Sequence, residues 1–287
     1  MPGLLNSQAA FKRQYKDTDP LTAERISKRV RHFMMRRSKK QVAPDLPDRI
    51  EETISCQMED EQLALYHAEL KIAQQHIQDL SGSGNQGKHR FNILASLLRM
   101  RQICCHPQLI DPSYATAKSA KLEALKEHVA SLMEEGHKVL IFSQFVEMLH
   151  IIKAELDTLG CRQLMLTGQT RNREELVDQF QTDPNVDAFL LSLKAAGSGL
   201  NLTASSYVIL YDPWWNPAVE AQAIDRTHRI GQKNTVNAYR LICSDSVEEK
   251  IQSLQLKKEE LANDIVREDS LNQILDIDSL KSILSGD

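Results

Sequence analysis

From about Lys118 onward, short continuous apolar runs alternate with longer stretches in which apolar residues recur every three or four positions. Val139–Phe142 and Tyr207–Leu210 are apolar throughout, Ala188–Ser192 is apolar up to its final serine, and Arg162–Leu166 and Asn237–Ile242 are runs of strand length. Between them lie Ala120–Glu135 ending at Gly136, Val146–Leu159 ending at Gly160, Asn172–Phe180, and Ala218–Arg229, which follows Pro217 and lacks glycine and proline. Glycine just past a helix and proline at its first turn are the expected stop and start signals. Five apolar strands interleaved with helices predict an α/β fold with a doubly wound parallel sheet. Right-handed crossovers would then gather the strand-end loops on one edge, where ligands bind.

The flanks follow other patterns. Residues 1–48 read as basic helices, with Pro20 suited to a start and Pro44 and Pro47 to a stop. Ile50–Gln57 alternates only in part and is at best a short strand. Glu59–Leu80, with Leu63, Tyr66, Leu70 and Ile77 near helical spacing, and Phe91–Cys105 predict two helices. Beyond the sheet, Ser246–Arg267 predicts an amphipathic helix with Ser246 as its cap and Glu248 and Glu249 near its positive end, and Leu271–Leu284 a short final one. The expected organisation is a basic helical junction (1–49), a helical N-terminal protrusion (50–115), the α/β lobe (116–245) and a C-terminal helical brace (246–287).

Composition narrows the class without choosing a function. The 287 residues are 41% hydrophobic and 26% charged, which is ordinary for a globular chain. No apolar run approaches the roughly 18 residues of a membrane span, and no signal-peptide core opens the chain. The expectation is a protein that is not secreted: cytoplasmic and nucleoid-associated if bacterial, nuclear if eukaryotic. Residues 1–40 hold eleven Lys/Arg against three Asp/Glu, a net of +8 that suits phosphates or an acidic partner as well as a solvated helix face. The five cysteines form no C-x-x-C pair, and adjacent side chains such as Cys104-Cys105-His106 diverge on a helix, so no metal site is expected. Gly82–Lys88 spells G-x-x-x-x-G-K, most of a phosphate-cradling loop. His89 stands where that loop needs Ser or Thr, and a helix precedes it where a strand is required, so it reads as an inter-helical connection.

The densest chemistry lies after the Tyr207–Tyr211 run: Asp212–Pro217 reads D-P-W-W-N-P and Gln222–Gln232 reads Q-A-I-D-R-T-H-R-I-G-Q. On a continuous helix Gln222, Arg226 and Arg229 would share one face, and two guanidiniums so placed would form a planar claw for phosphate. The plainer alternative is two surface arginines paired with Asp225 and Glu220.

These two strings resemble the signature of the Swi/Snf-type ATPases of helicase superfamily two, specifically the C-terminal half of such a motor. The resemblance extends more loosely along the chain. Phe33–Pro47 is similar to the family's inter-lobe junction, and Ser143-Gln144-Phe145 to its motif IV. Leu166–Thr170 resembles its Asp-Gly segment, with Thr167 where aspartate is common, and Ser192–Leu202 resembles its motif V, with Ala196-Gly197 where Gly-Gly is frequent. The resemblance implies a RecA-like lobe that closes over ATP and Mg2+ held mainly by a first lobe absent from this chain. It implies Arg226 and Arg229 as arginine fingers, with Gln222, Gly197, Gly199 and Asp225 at the nucleotide. Ser143, Gly168, Thr170, Lys194 and Trp214 are implied contacts to the backbone of double-stranded DNA. The expected partners are that DNA and the first lobe of the same protein, and the chain alone is expected to be an inactive monomer. A non-catalytic module binding nucleic acid or protein is the competing reading. A Rossmann-like small-ligand protein is disfavoured by the lack of G-x-G-x-x-G after a strand.

Overall fold

The structure, a computed structural model, describes residues 33, 43, 45–80, 86–196, 199–262 and 282–284. Nearly all of them belong to one compact unit, Leu46–Leu261 with Arg267–Asp287. Most of the basic segment 1–48, the start of the Gly82–Lys88 string, Gly197, and most of the expected brace beyond Ala262 lie outside the described residues.

Among the described residues six strands form the sheet: β1 (Arg49–Cys56), β2 (Val139–Ser143), β3 (Gln163–Leu166), β4 (Ala188–Ser192), β5 (Tyr207–Leu210) and β6 (Val236–Cys243). Their order is β1-β6-β5-β2-β4-β3, and every pairing is parallel. The helices are α1 (Asp60–Leu80), α2 (Gln86–Cys105), α3 (Ala120–Glu134), α4 (Val146–Thr158), α5 (Arg173–Thr182), the single turn α6 (Leu193–Ala196), α7 (Pro217–Ile224) and α8 (Val247–Ala262).

Alternation along each central strand divides the core in two. Val139, Ile141, Leu190, Ile209 and Leu241 face one side and pack with α1, α2, α3, α4 and α8. Leu140, Phe142, Phe189, Leu191, Val208 and Leu210 face the other and pack with α5 and α7 through Phe180, Ala223 and Ile224. With both faces covered, β2 and β4 are buried along their whole length. That is why they read as unbroken apolar runs rather than as alternating ones.

The α3 end is built as the sequence predicts. Gly136 takes φ +72°, Gly136 N–H bonds Met133 O at 3.0 Å, and His137 N–H bonds Leu132 O at 2.8 Å. This paired closure needs a left-handed residue that glycine adopts without strain.

Three expectations are corrected. The segment near Ile50–Gln57, placed with the protrusion, is the sheet's sixth strand, with Arg49 in register with Val236. Among its residues only Cys56 is buried, because it is an edge strand carrying Arg, Glu and Thr outward, as edges do. The second helix of the protrusion starts at Gln86, not Phe91, so Gln86-Gly87-Lys88 of the phosphate-loop look-alike lie in a helix. The expected helix Ala218–Arg229 stops at Ile224.

Candidate functional site

The candidate residues fall at two ends of the sheet. Ser143 ends β2, and Gly168, Thr170, Lys194 and Trp214 follow the carboxyl ends of strands. From there α7 runs back, so Asp225, Arg226 and Arg229 lie toward the amino end, in the connection that leads into Val236 of β6.

At the carboxyl end the hub is Asp212, which is wholly buried. Its Oδ1 accepts Ser143 Oγ–H at 2.5 Å, and both oxygens lie within 3.3 Å of Gln144 N. Burial pushes this carboxyl up to about 6, against the opposing pull of Arg101, the Ser143 hydrogen bond, Lys121 and the Gln144 N–H. Ser143 was expected to touch DNA. It is 0% exposed, its proton is given to Asp212, and its oxygen accepts Phe145 N–H at 3.1 Å. Its role is therefore to shape the loop that presents Gln144 and Phe145.

The D-P-W-W loop is held from below by α2. Arg101, 1% exposed, donates to Pro213 O, and its guanidinium carbon lies 4.9 Å from the Trp215 ring centre. The two tryptophans diverge: Trp215 packs on the first core, Trp214 on the second. Deeper still, Lys121 Nζ lies 2.6 Å from a Glu248 oxygen, both side chains wholly buried. Lys121 also donates to Tyr211 O at 3.0 Å, and Glu248 accepts Cys243 N–H at 3.1 Å. The sequence marked Glu248 as a partner for a helix end; its actual partner is 127 residues away.

The remaining carboxyl-end candidates lie at the surface. Lys194 and Gly168 are exposed, and Thr170 is half-buried with its hydroxyl accepting Thr167 N–H at 2.9 Å. Arg173, which the sequence did not single out, donates to Thr170 O at 3.2 Å and Gly168 O at 3.3 Å and so fixes that turn. Gly199 takes φ +76° and is exposed, with nothing within 4 Å of where a Cβ would stand.

The arginine segment departs most from expectation. After Ile224 the chain tightens: Arg226 N–H bonds Ala223 O at 3.1 Å and Thr227 N–H bonds Ile224 O at 3.0 Å. The Arg226 carbonyl, which a longer helix would use internally, accepts Leu202 N–H at 3.1 Å. Gln222, Arg226 and Arg229 therefore do not form a stripe on one helix. Gln222 and Arg229 are exposed and Arg226 is half-buried. Gln232, 7% exposed, closes the turn: its amide donates to Ser205 O at 2.8 Å and Thr203 O at 3.3 Å, and its oxygen accepts Lys233 N–H at 2.9 Å and Asn234 N–H at 3.0 Å.

The acidic partners proposed for the arginines have other ties. Glu220 accepts Trp214 N–H at 2.7 Å and Arg240 Nε–H at 2.8 Å. Asp225, expected at the nucleotide, lies 3.4 Å from Arg49. Arg49 also pairs with Glu51, and Glu51 with Arg240 at 2.5 Å. The result is a ladder of alternating charge from Asp225 through Arg49, Glu51 and Arg240 to Glu220.

For metals, Cys104, Cys243 and Glu248 are the set of three among the described residues whose ligand atoms lie within 4.8 Å of one another. Glu248 is already paired with Lys121, and burial holds the Cys104 and Cys105 thiols well above their ordinary range. His106 does not join them: its Nδ1 accepts Gln108 N–H at 3.1 Å. A cleft of about 670 Å³ beside Gln144 and Phe145 is lined by Gln102, His106, Glu147 and His150 among others.

Comparisons with known proteins agree on one family. Residues 120–231 match the family described as helicase conserved C-terminal domain. Residues 1–109 match that described as SNF2-related domain. The putative ATP-dependent helicase/translocase YwqA of Bacillus subtilis is 36% identical over 282 residues, covering 93% of this chain but 30% of that protein. The solved C-terminal domain of the Sulfolobus solfataricus SWI2/SNF2 ATPase is 32% identical with a TM-score of 0.66, covering 82% of this chain and 98% of that one. The core of the same ATPase, in complex with double-stranded DNA, is 34% identical with a TM-score of 0.69, covering 98% of this chain and 61% of that one. Among the described residues no helix is long and apolar enough to cross a membrane.

Proposed function

The chain belongs to the Swi/Snf-type ATPases of helicase superfamily two, as their C-terminal lobe, and we propose that it completes an ATP-driven motor acting on double-stranded DNA. In this reading Arg226 and Arg229 meet the charge that develops on the phosphoryl group of an ATP held by a first lobe. Phosphoryl transfer depends on such positioned charge more than on covalent chemistry by the protein. In the same reading Gln222, Gly197 and Gly199 also serve the nucleotide.

The residues present fit the phosphates but not the magnesium. Arg229 is exposed on a turn closed by Gln232, whereas Asp212 is buried and Asp225 faces Arg49. The carboxylates for magnesium would have to come from the other lobe. Gly168, Thr170, Lys194 and Trp214 supply sequence-indifferent contacts to the DNA backbone, and opening and closing of the lobes would move the protein along the duplex.

The observation that carries this reading is the exposed Arg229 beside the half-buried Arg226 on a turn fixed from beneath, inside the string Q-A-I-D-R-T-H-R-I-G-Q. The test is Arg226→Ala and Arg229→Ala in the protein with both lobes. DNA-stimulated turnover should fall by about three orders of magnitude. Nucleotide affinity should hold within about threefold, since an interaction made chiefly in the transition state is lost. Arg→Lys should not restore turnover, because lysine lacks the planar fork. Unchanged turnover, or a lobe that unfolds on substitution, would remove the assignment and leave a binding module.

A further inference from the structure

We propose that Arg49 and His228 are positioning residues for the two arginines, and that edge strand β1 is the element that sets where Arg226 and Arg229 stand. The proposal rests on the arginine-finger reading above.

Three contacts fasten the turn between Ile224 and Val236 to three consecutive residues of the segment entering β1. His228 Nε2–H donates to Pro47 O at 2.7 Å, across 181 positions of sequence; a carbonyl can only accept, so the ring nitrogen carries the proton. Val236 N–H donates to Asp48 O at 3.0 Å. Arg49 Nη1 reaches Asp225 Oδ1 at 3.4 Å. Asp225 is the C-cap of α7, and Arg226 and Arg229 flank His228 closely. The same Arg49 pairs with Glu51, and through Arg240 the ladder reaches Glu220 in the first turn of α7. Both ends of this eight-residue helix are therefore tied to the β1–β6 edge.

The apolar floor under the turn cannot do this alone. Ile224 and Ala223 are buried against the second core, but apolar packing is non-directional and tolerates sliding. A hydrogen bond to a fixed carbonyl and an ion pair at the helix end are directional, and they define how far the turn is pitched. Charge stabilisation by an arginine demands placement within about 0.5 Å. A shift of Pro47–Arg49 therefore moves the turn. This follows from the contacts alone; neither Arg49 nor His228 needs to touch nucleotide.

The test uses the protein with both lobes, scoring DNA-saturated kcat, KM for ATP and duplex affinity. His228→Phe keeps the ring's bulk and removes its donor; His228→Gln restores an amide donor; Arg49→Met removes the charge on a partly exposed edge, where folding is least threatened. Expected are at least about tenfold losses of kcat for His228→Phe and Arg49→Met, with KM and duplex affinity within about twofold, and His228→Gln within about threefold of the parent. Melting of each variant lobe is recorded alongside. A merely structural role would lower melting and weaken all three parameters together, and that result overturns the proposal. So does unchanged kcat in Arg49→Met, or a His228→Gln as defective as His228→Phe. Arg229→Ala separates the two levels: if it is inactive while the positioning variants are normal, only the positioning role fails; if it is fully active, both readings fail.

Discussion

Ser143 Oγ lies 2.5 Å from Asp212 Oδ1, so the ends of β2 and β5 are joined by a charge-assisted hydrogen bond in complete burial. Ser143→Ala should destabilise the lobe by about 1.5–3 kcal/mol, the range for a hydrogen bond to a charged group. Ser143→Thr, which keeps the hydroxyl, should recover most of the hydrogen bond. Denaturant titration of both variants checks this. If Ser143 instead served DNA directly, alanine would weaken duplex binding without touching stability.

The raised carboxyl of Asp212 gives stability a pH dependence of known sign. Folding lifts it from 3.8 to about 6, so the folded state holds this proton more tightly than the unfolded chain does. Stability from this group is fully present below pH 4 and is lost as pH rises through 6. A shift of that size corresponds to about 3 kcal/mol. Asp212→Asn removes the titration while keeping an acceptor for Ser143 and Gln144. The difference between the two stability curves should therefore move in favour of the asparagine variant between pH 4 and pH 7. His106, whose proton affinity burial lowers, is common to both proteins and drops out. A difference curve flat in pH would reject the assignment.

Lys121 and Glu248 stabilise the lobe only as a pair. With both side chains at 0% exposure, removing one leaves a buried charge uncompensated, at a cost of about 3–5 kcal/mol. Lys121→Met and Glu248→Gln should each be severe, and the double variant should cost clearly less than their sum. The coupling is read from a double-mutant cycle in denaturant. Strict additivity would mean that the two charges are screened from one another.

On its own, the chain should bind duplexes of unrelated sequence equally and weakly, with affinity falling steeply as salt is raised, because only phosphate contacts are on offer. Lys194→Gln should flatten that salt slope by about one unit. The chain alone should release no phosphate from ATP, with or without DNA. Release abolished by Lys88→Ala would revive the phosphate-loop look-alike at Gly82–Lys88.

The interior of the sheet was legible because its residues have no choice of neighbour: β2 and β4 are apolar on both faces, and the stops at Gly136 and Gly160 are local chemistry. What the sequence hid was set at long range. Edge strand β1 carries no apolar signature, since one of its sides is solvent. The stretch from Ile224 to Arg229 holds no glycine or proline to stop a helix, yet Leu202 N–H captures the Arg226 carbonyl that would extend it. The polarity of Arg101, Lys121 and Gln232 gives no sign of their burial, and only the fold reveals the carbonyls of Pro213, Tyr211 and Ser205 that they serve. The motif strings located the arginines, but not the geometry that holds them.

The pairing of β1 with β6 also imposes a timetable. Arg49 leaves the ribosome long before Val236, its partner in register, and among the described residues β6 is the strand that borders β1. During synthesis β2, β4 and β5 can assemble while the first strand waits unpaired, and such non-local closure is the slow kind. The arginine turn, whose ties to Pro47, Asp48 and Arg49 depend on that closure, is therefore completed among the last parts of the sheet region to form. A nascent chain arrested before β6 would carry Arg226 and Arg229 in a turn not yet tied to the β1 edge, and a D-P-W-W loop still without Gln255, which donates to Trp214 O at 3.0 Å and Trp215 O at 2.9 Å.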